Sequence, residues 1–214
     1  MKFFLDSANI EEIEKGLDLG LVDGVTTNPS LLAAENSGWK ELASEICSKV
    51  NGPVSIEVME TETEQMVLEA KKLAELSPNV VIKIPMTLQG IKAVKVLSAE
   101  NIPTNVTLVF SPLQALLAAK AGAAYVSPFV GRLDDTGQSG MDIVARIINI
   151  YENYGFAAQI IVASVRNPGH VLEAAETGAD IATIPYKVLL KLADHPMTDQ
   201  GIQTFEKVWK SARK

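Results

Sequence analysis

Short apolar runs alternate with segments of helical periodicity along the whole chain. Apolar residues recur at helical spacing between the runs, as at Ile91, Val94 and Leu97. Eight runs have the length and β-branched composition of buried strands, namely residues 3–6, 24–27, 54–58, 80–84, 104–109, 125–130, 159–164 and 181–184. Eight strands that each precede a helix predict an α/β fold, a single (β/α)8 TIM barrel that occupies residues 1–214.

A doubly wound open sheet is the alternative for this order of elements, but no glycine-rich phosphate loop follows the first predicted strand. After the last strand, residues 186–193 predict the eighth helix and residues 199–212 predict an extra C-terminal helix. Phe205, Val208 and Trp209 give this extra helix an apolar stripe. The stripe could pack on its own barrel or on a neighbouring subunit.

The composition is that of an ordinary globular protein, with 47% hydrophobic and 21% charged residues. A net charge of −7 argues against a nucleic-acid partner or an anionic membrane surface. Cys47 is the single cysteine, so an intrachain disulfide is excluded, and its apolar neighbours favour a buried thiol. We find no signal peptide and no apolar run of membrane-spanning length, which predicts a cytoplasmic protein.

Lys83 interrupts an apolar, β-branched strand. Burial of an unpaired ammonium costs several kcal/mol, and a buried lysine commonly escapes that cost by losing its proton. The neutral amine is the form that attacks a carbonyl, so this strand predicts a Schiff-base site. The alternative is that the stem of Lys83 lies along apolar surface while its ammonium reaches water.

Polar residues also occur near the C-terminal ends of seven predicted strands, where barrel enzymes place their catalytic groups. They are Asp6, Thr26, Thr27, Asn28, Glu57, Lys83, Asn105, Thr107, Ser127, Arg132, Ser164 and Arg166. A lysine flanked by two carboxylates can pass protons while an imine forms and breaks down. Two arginines and a serine suit a phosphate, although ordinary loop salt bridges would also place arginines there.

Six segments together resemble the transaldolases, in particular the short subfamily that also contains fructose-6-phosphate aldolases. The matching segments are FLDSA at 4–8, GVTTNPS at 24–30, VIKIP at 81–85, IPTNVT at 102–107, YVSPFVGR at 125–132 and ASVR at 163–166. The resemblance extends over essentially the whole chain. It implies a barrel enzyme that acts on sugar phosphates.

Catalytic roles follow from the resemblance for four positions. Lys83 would form the imine with the ketose carbonyl, and Asp6 would act as acid or base on the sugar hydroxyl. Glu57 would activate the water that serves imine chemistry, assisted by Thr107. The resemblance implies neither a metal nor a cofactor, because the protonated imine is itself the electron sink.

Binding roles follow from the resemblance in the same way. The residues implied for the dihydroxyacetone part of the substrate are Asn28, Thr26, Asn105, Ser127 and Phe129. The residues implied for the sugar phosphate are Arg132, Ser164 and Arg166. The two histidines, His170 and His195, are too few and too far apart in sequence for a metal site.

The expected activity is that of a transaldolase, which moves a dihydroxyacetone unit from sedoheptulose 7-phosphate to glyceraldehyde 3-phosphate. Similar fructose-6-phosphate aldolases carry Gln where this chain has Glu57, and Tyr where it has Phe129. Both positions therefore favour transfer over release of free dihydroxyacetone, which is the alternative. A barrel that binds sugar phosphates without turnover is a further alternative. Similar short transaldolases are homo-oligomeric rings, often decamers, in which the C-terminal helix packs on a neighbour.

Overall fold

Eight parallel strands close into a barrel in a computed structural model that describes residues 1–35 and 38–213. The strands are β1 (Lys2–Asp6), β2 (Gly24–Thr26), β3 (Val54–Glu57), β4 (Val80–Pro85), β5 (Thr104–Val109), β6 (Tyr125–Pro128), β7 (Gln159–Val162) and β8 (Ile181–Ile184). Each strand pairs with the next in sequence, and β8 pairs with β1. The predicted TIM barrel is therefore confirmed and the open sheet is wrong. The predicted domain also includes residues 36–37 and 214, which lie outside the described ranges.

Helices surround the barrel, so that the strands are covered on their outer face as well as packed inside. In the described ranges they are α1 (Ile10–Asp18), α2 (Pro29–Ala34), α3 (Trp39–Lys49), α4 (Thr63–Ala74), α5 (Leu88–Ala99), α6 (Pro112–Ala121), α7 (Val130–Asp134), α8 (Gly140–Tyr154), α9 (Pro168–Thr177), α10 (Tyr186–Lys191) and α11 (Pro196–Ala212). Burial on both faces explains why the strands are continuous apolar runs rather than alternating ones. Val25, Val54, Ile82 and Val126 illustrate this, since each is fully buried.

Polar residues at the strand ends fix where the following helices begin. Ahead of α11, the side chains that cap a helix N-terminus by accepting a backbone N–H belong to Asn9, Asn28, Thr87, Ser111, Ser139 and Asn167. A proline follows directly at Pro29, Pro112 and Pro168, where its fixed φ and missing donor suit the first helical turn. These caps keep the connections at the C-terminal end of the barrel short and well defined.

Several element ends differ from the predicted ones. β6 ends at Pro128 rather than at residue 130, because the chain turns into the short helix α7, which the apolar spacing does not predict. The helix α2, also unpredicted, has six residues. α10 ends at Lys191, two residues early, and α11 begins at Pro196, three residues before the predicted start. There the side chain of His195 caps the helix by accepting the N–H of Met197.

The last helix differs from the others in its exposure. No residue of α11 is buried, and Ile202, Phe205, Val208 and Trp209 are all exposed. Among the described residues, none of the helices combines the length and the apolar character that a membrane crossing requires. The barrel core is therefore complete without α11.

Candidate active site

A cleft with two lobes lies at the C-terminal mouth of the barrel. The smaller lobe has a volume of about 130 Å³ and the larger one about 450 Å³. Both are lined by Asn28, Lys83, Phe129 and Arg132, so they form one continuous site. This is the end of the barrel at which enzymes of this fold carry out their chemistry.

Lys83 lies inside the barrel, with only 5% of its surface exposed. Its Nζ donates to the carbonyl oxygen of Thr27 at 3.0 Å and lies 3.1 Å from Oε2 of Glu57. The side chain of Lys83 is therefore held inside the barrel mouth rather than laid along the protein surface. A carboxylate and a carbonyl acceptor compensate for the loss of water, and they offer Lys83 a route for passing a proton to Glu57.

Strand register places Lys83 in a row of polar side chains. Lys83 pairs with Glu57 on β3 and with Asn105 on β5. The amide of Asn105 is fully buried, donating to Oγ of Ser55 at 3.1 Å and accepting from Oγ of Ser127 at 2.7 Å. Ser127 lines the smaller lobe, whereas Asn105 lines neither lobe. Asn105 thus lies in the layer beneath the cleft and orients Ser127.

Asp6 is the second carboxylate of the site. Its Oδ1 accepts a hydrogen bond from Oγ1 of Thr26 at 3.0 Å, and Thr26 is in turn 2.5 Å from Oγ1 of Thr183. Burial raises the pKa of Asp6 above its ordinary value, although the positive charge of Lys83 and the hydrogen bond from Thr26 oppose that rise. The site therefore contains one carboxylate paired with the lysine and another held by hydroxyl groups.

Thr107 lies in the larger lobe, next to a distortion of the strand. The pairing of β5 with β6 shifts between Val106 and Val109, and Leu108 at this bulge has a left-handed backbone with φ 57°. Thr107 and Leu108 consequently both line the larger lobe, which alternation along a regular strand would not allow. The buried Oγ1 of Thr107 has no hydrogen-bond partner among the described residues. Glu57 lines the same lobe. The Oγ1 of Thr107 is therefore suited to bind a water molecule or a substrate hydroxyl there.

The arginine end of the cleft is more exposed than the lysine end. The guanidinium of Arg132 stacks on the ring of Phe129 at 5.2 Å from its centroid, and Ser164, with a left-handed φ of 58°, lines the smaller lobe beside them. Arg166 lines neither lobe, because its guanidinium forms a two-pronged hydrogen bond with Asp135. That bond holds the pKa of Asp135 below its ordinary value.

Two chain segments approach closely at this end. Gly131 donates its N–H to the carbonyl oxygen of Ser164 at 3.2 Å. A Cβ at Gly131 would collide with that carbonyl and crowd the Arg166 side chain. A glycine is therefore required here, because it lets the segments that follow β6 and β7 lie in contact.

Sequence reasoning did not identify Thr183, Ser55 or Leu108 as part of the site. Thr183 lines the smaller lobe and Leu108 the larger one, whereas Ser55 supports Asn105 from below. The signal available for Thr183 is that it is the one polar residue of β8. With Thr183 included, all eight strands or the turns that follow them contribute a polar side chain to this end of the barrel.

Comparison with known proteins agrees with this geometry. The family described as "Transaldolase/Fructose-6-phosphate aldolase" matches residues 3–214. The chain belongs to the transaldolase/fructose-6-phosphate aldolase family. It is 60% identical to a protein named "Probable transaldolase" from Desulfosudis oleivorans, a match that covers 100% of both chains. A protein of the same name from Desulfotalea psychrophila is 60% identical, a match that covers 98% of both chains. A third, from Geobacter sulfurreducens, is 58% identical over 100% of both chains.

Membership of the transaldolase/fructose-6-phosphate aldolase family confirms the resemblance found in the sequence motifs and makes this barrel an enzyme of that family. The segments that carry the resemblance contain Lys83, Asp6 and Arg132, and all three line the smaller lobe. Residues 1–35 and 38–213 contain no group of three His, Cys, Asp or Glu side chains placed to hold a metal ion.

The raised pKa of Asp6 predicts how the stability of this family member changes on substitution. A carboxyl group whose pKa is higher in the folded state destabilises the fold above that pKa and ceases to do so once it is protonated. We therefore expect Asp6→Asn, which keeps the acceptor for Thr26, to be more stable than wild type at pH 7. The advantage should shrink as the pH falls towards the ordinary value of 3.8. Urea midpoints measured from pH 8 to pH 4 test this.

The matched control is Asp194→Asn, at an exposed aspartate between α10 and α11. Its stability should stay within about 0.5 kcal/mol of wild type at every pH, as for other surface substitutions. A destabilised Asp6→Asn variant at pH 7 would show that the attraction of Lys83 and the hydroxyl groups outweighs burial.

Proposed function

We propose that the protein is a transaldolase. It transfers a dihydroxyacetone unit from sedoheptulose 7-phosphate to glyceraldehyde 3-phosphate, giving erythrose 4-phosphate and fructose 6-phosphate, as in the non-oxidative pentose phosphate pathway. The observation that carries the proposal is the buried Lys83 nitrogen, 3.1 Å from Glu57 and in one cleft with Asp6 and Arg132. The names of the relatives support the same activity.

Imine formation is the first proposed step. Glu57 accepts a proton from Lys83 across their direct contact, and the neutral amine adds to the ketose carbonyl. Glu57 then returns the proton to the departing hydroxyl, which leaves as water. Thr107 assists, since its unpartnered Oγ1 offers that water a hydrogen bond.

Carbon–carbon cleavage is the second step. Asp6 removes the proton from the sugar hydroxyl at C4, the bond between C3 and C4 breaks, and its electron pair moves into the protonated imine. The products are a free aldose and an enamine bound to Lys83. Addition of the enamine to the acceptor aldehyde reverses these movements, and Asp6 returns its proton to the new hydroxyl. Hydrolysis of the imine then releases the product ketose.

The substrate is held by groups whose geometry leaves them available. Oδ1 of Asn28 caps α2 by accepting the N–H of Leu31, which leaves its amide donors for hydroxyl groups of the substrate. Ser127 and Thr26 line the same lobe. Asn105, predicted from the resemblance to bind substrate, would in this arrangement act mainly by orienting Ser127.

The phosphate would bind to Arg132, Ser164 and Arg166. Arg132 and Ser164 line the cleft directly. Arg166 is bound to Asp135, so its recruitment requires a phosphate to replace that carboxylate on the guanidinium. Both partners are about half exposed, which makes such an exchange inexpensive.

The choice between transfer and release depends on the residues near the enamine. As a phenylalanine, Phe129 has no hydroxyl group that could orient a water molecule. Its ring contacts Phe110, and the guanidinium of Arg132 stacks on it. Glu57 is paired with Lys83. An enamine in these surroundings is poorly protonated by water and waits for an aldehyde. These surroundings favour transfer. Fructose-6-phosphate aldolase activity, which would release free dihydroxyacetone, is the second candidate function.

Covalent trapping tests the Schiff base. Incubation with fructose 6-phosphate followed by borohydride should add one substrate-derived group to the intact protein by mass spectrometry. Lys83→Met should remove this adduct and reduce turnover at least about 10³-fold, because no other group supplies the electron sink. Lys95→Met, at an exposed position of α5, is the matched control and should trap like wild type. A wild type that gains no mass would indicate a binding protein without turnover.

Exchange of two side chains tests the preference for transfer. We expect Glu57→Gln combined with Phe129→Tyr to raise the release of free dihydroxyacetone without an acceptor by about tenfold or more, because the new hydroxyl can orient a water molecule. The readout is dihydroxyacetone from fructose 6-phosphate, alongside erythrose 4-phosphate formation with glyceraldehyde 3-phosphate present. Leu108→Met, a conservative change in the same lobe, controls for general loosening of the cleft. Unchanged release would contradict this account of specificity.

We also propose that the protein is a homo-oligomer, with a decamer as the expected size, in which α11 packs on a neighbouring copy. The exposed stripe of Ile202, Phe205, Val208 and Trp209 supports this, since a contiguous apolar patch is usually covered. We propose a cytoplasmic location as well, in line with the expectation from the sequence.

Charge substitution on α11 tests the assembly. Phe205→Glu with Trp209→Glu should reduce the particle mass measured by light scattering, because two buried carboxylates would be left unpaired in the interface. Lys207→Ala, on the opposite side of the same helix, should leave the mass unchanged. An oligomer that survives the double substitution would show that another surface joins the subunits.

A further inference from the structure

Asp6 is hydrogen-bonded to a chain of two hydroxyl groups. The chain begins on β2, on one side of β1, and ends on β8, on the other side. Oγ1 of Thr26 on β2 lies 3.0 Å from Asp6, and Oγ1 of Thr183 on β8 lies 2.5 Å from Thr26. Thr26 is 2% exposed and Thr183 is 3% exposed. We infer that Thr183 is a positioning residue for Asp6, acting through Thr26. The inference rests on the proposed function for the role of Asp6.

The direction of the hydrogen bonds follows from counting protons. An ionised Asp6 is an acceptor only, so Thr26 must use its single hydroxyl proton to donate to it. Thr183 must then donate to Thr26. Each hydroxyl polarises the next, and such a chain strengthens the bond at its end. Thr183 thereby stabilises the ionised form of Asp6 without touching it.

The same chain also serves the protonated carboxyl. When the proton is on Oδ1, Asp6 donates to Thr26 and Thr26 donates to Thr183. Only two hydroxyl protons rotate, and the proton of Thr183 is then available to a water molecule or a substrate hydroxyl in the smaller lobe, which Thr183 lines. Asp6 can therefore accept and return a proton during the aldol steps while it stays hydrogen-bonded to Thr26; an unpaired buried group would cost about 1–3 kcal/mol.

Barrel closure is what brings these three side chains together. Asp6 pairs with Thr26 on one side of β1, and Phe4 of β1 pairs with Thr183 on the other side. The two threonines are 157 positions apart in the sequence. Their hydroxyl groups can meet only because β8 lies beside β1 in a closed ring.

The charged groups around Asp6 come from three other elements. Lys83 on β4 faces it and lowers its pKa, opposing burial. Arg132 on α7 lines the same lobe, and Glu57 on β3 is paired with Lys83. None of these groups changes in a Thr183 variant, so an altered pH dependence would report on the hydroxyl chain.

The test compares Thr183→Val with Thr183→Ser. Valine keeps the volume but removes the donor, so the ionised Asp6 is less stable and the acidic limb of kcat/KM should move to higher pH. We expect the loss in kcat near neutral pH to be about three- to tenfold, the worth of one hydrogen bond. Serine keeps the hydroxyl and should restore both the limb and the rate. Circular dichroism and the urea midpoint establish that each variant is folded, and Thr183→Ala replaces valine if that variant is not.

Borohydride trapping with fructose 6-phosphate separates this inference from the proposed function. Imine formation uses Lys83 and Glu57, so Thr183→Val should trap to the same extent as wild type. A folded valine or alanine variant with an unchanged pH profile and rate overturns the inference. So does a serine variant as impaired as the valine one, which would indicate a packing role. A wild type that neither traps nor transfers overturns the proposed function instead.

Discussion

The contact between Lys83 and Glu57 is the interaction on which the site depends, and the register of two neighbouring strands brings the two side chains together. A lysine in the middle of an apolar strand is costly unless its charge is paired, because both faces of a parallel sheet are buried. In the barrel its side chain enters the interior, where β3 presents a carboxylate in register and Thr27 presents a carbonyl. The barrel interior thus holds a costly charge in a paired and oriented position.

The two carboxylates of the site have different surroundings, as the two members of many catalytic acid–base pairs do. Glu57 has a cation 3.1 Å away, whereas Asp6 is partly buried, accepts a hydrogen bond from Thr26 and has a pKa that desolvation raises. Carboxylates in unlike surroundings can perform unlike proton transfers at one pH. In the proposed reaction Glu57 works with water and imine, and Asp6 works with the sugar hydroxyl. The different surroundings of the two carboxylates support this division of tasks.

The sequence predicted those parts of the site that violate a local rule. Lys83 and Glu57 were recognisable because charges interrupt strands that are otherwise apolar. Thr183 was not, because a lone threonine satisfies ordinary β propensity and, unlike Thr26 and Thr107, it lies outside the segments that carry the family resemblance. The bulge at Leu108 was also hidden, since a left-handed leucine is unfavourable locally and is stabilised only by tertiary contacts. The helix α7 escaped notice because five residues are too few for a periodic signal.

The pairing of Arg166 could not be predicted from the sequence for a different reason. Arg166 and Asp135 are 31 positions apart in loops that the fold brings together, and no spacing rule links them. Sequence reasoning offered a phosphate site or a salt bridge for this arginine, and the structure has the salt bridge.

The two ends of the cleft are therefore built for different demands. The lysine end is more buried, and Lys83 and Asn105 have hydrogen-bond partners within the barrel, which suits chemistry that needs atoms held in fixed positions. The arginine end is exposed, and one of its two cations is already paired, so a ligand there must compete for it. If the sugar phosphate binds at that end, part of its binding free energy is used to displace Asp135 from Arg166.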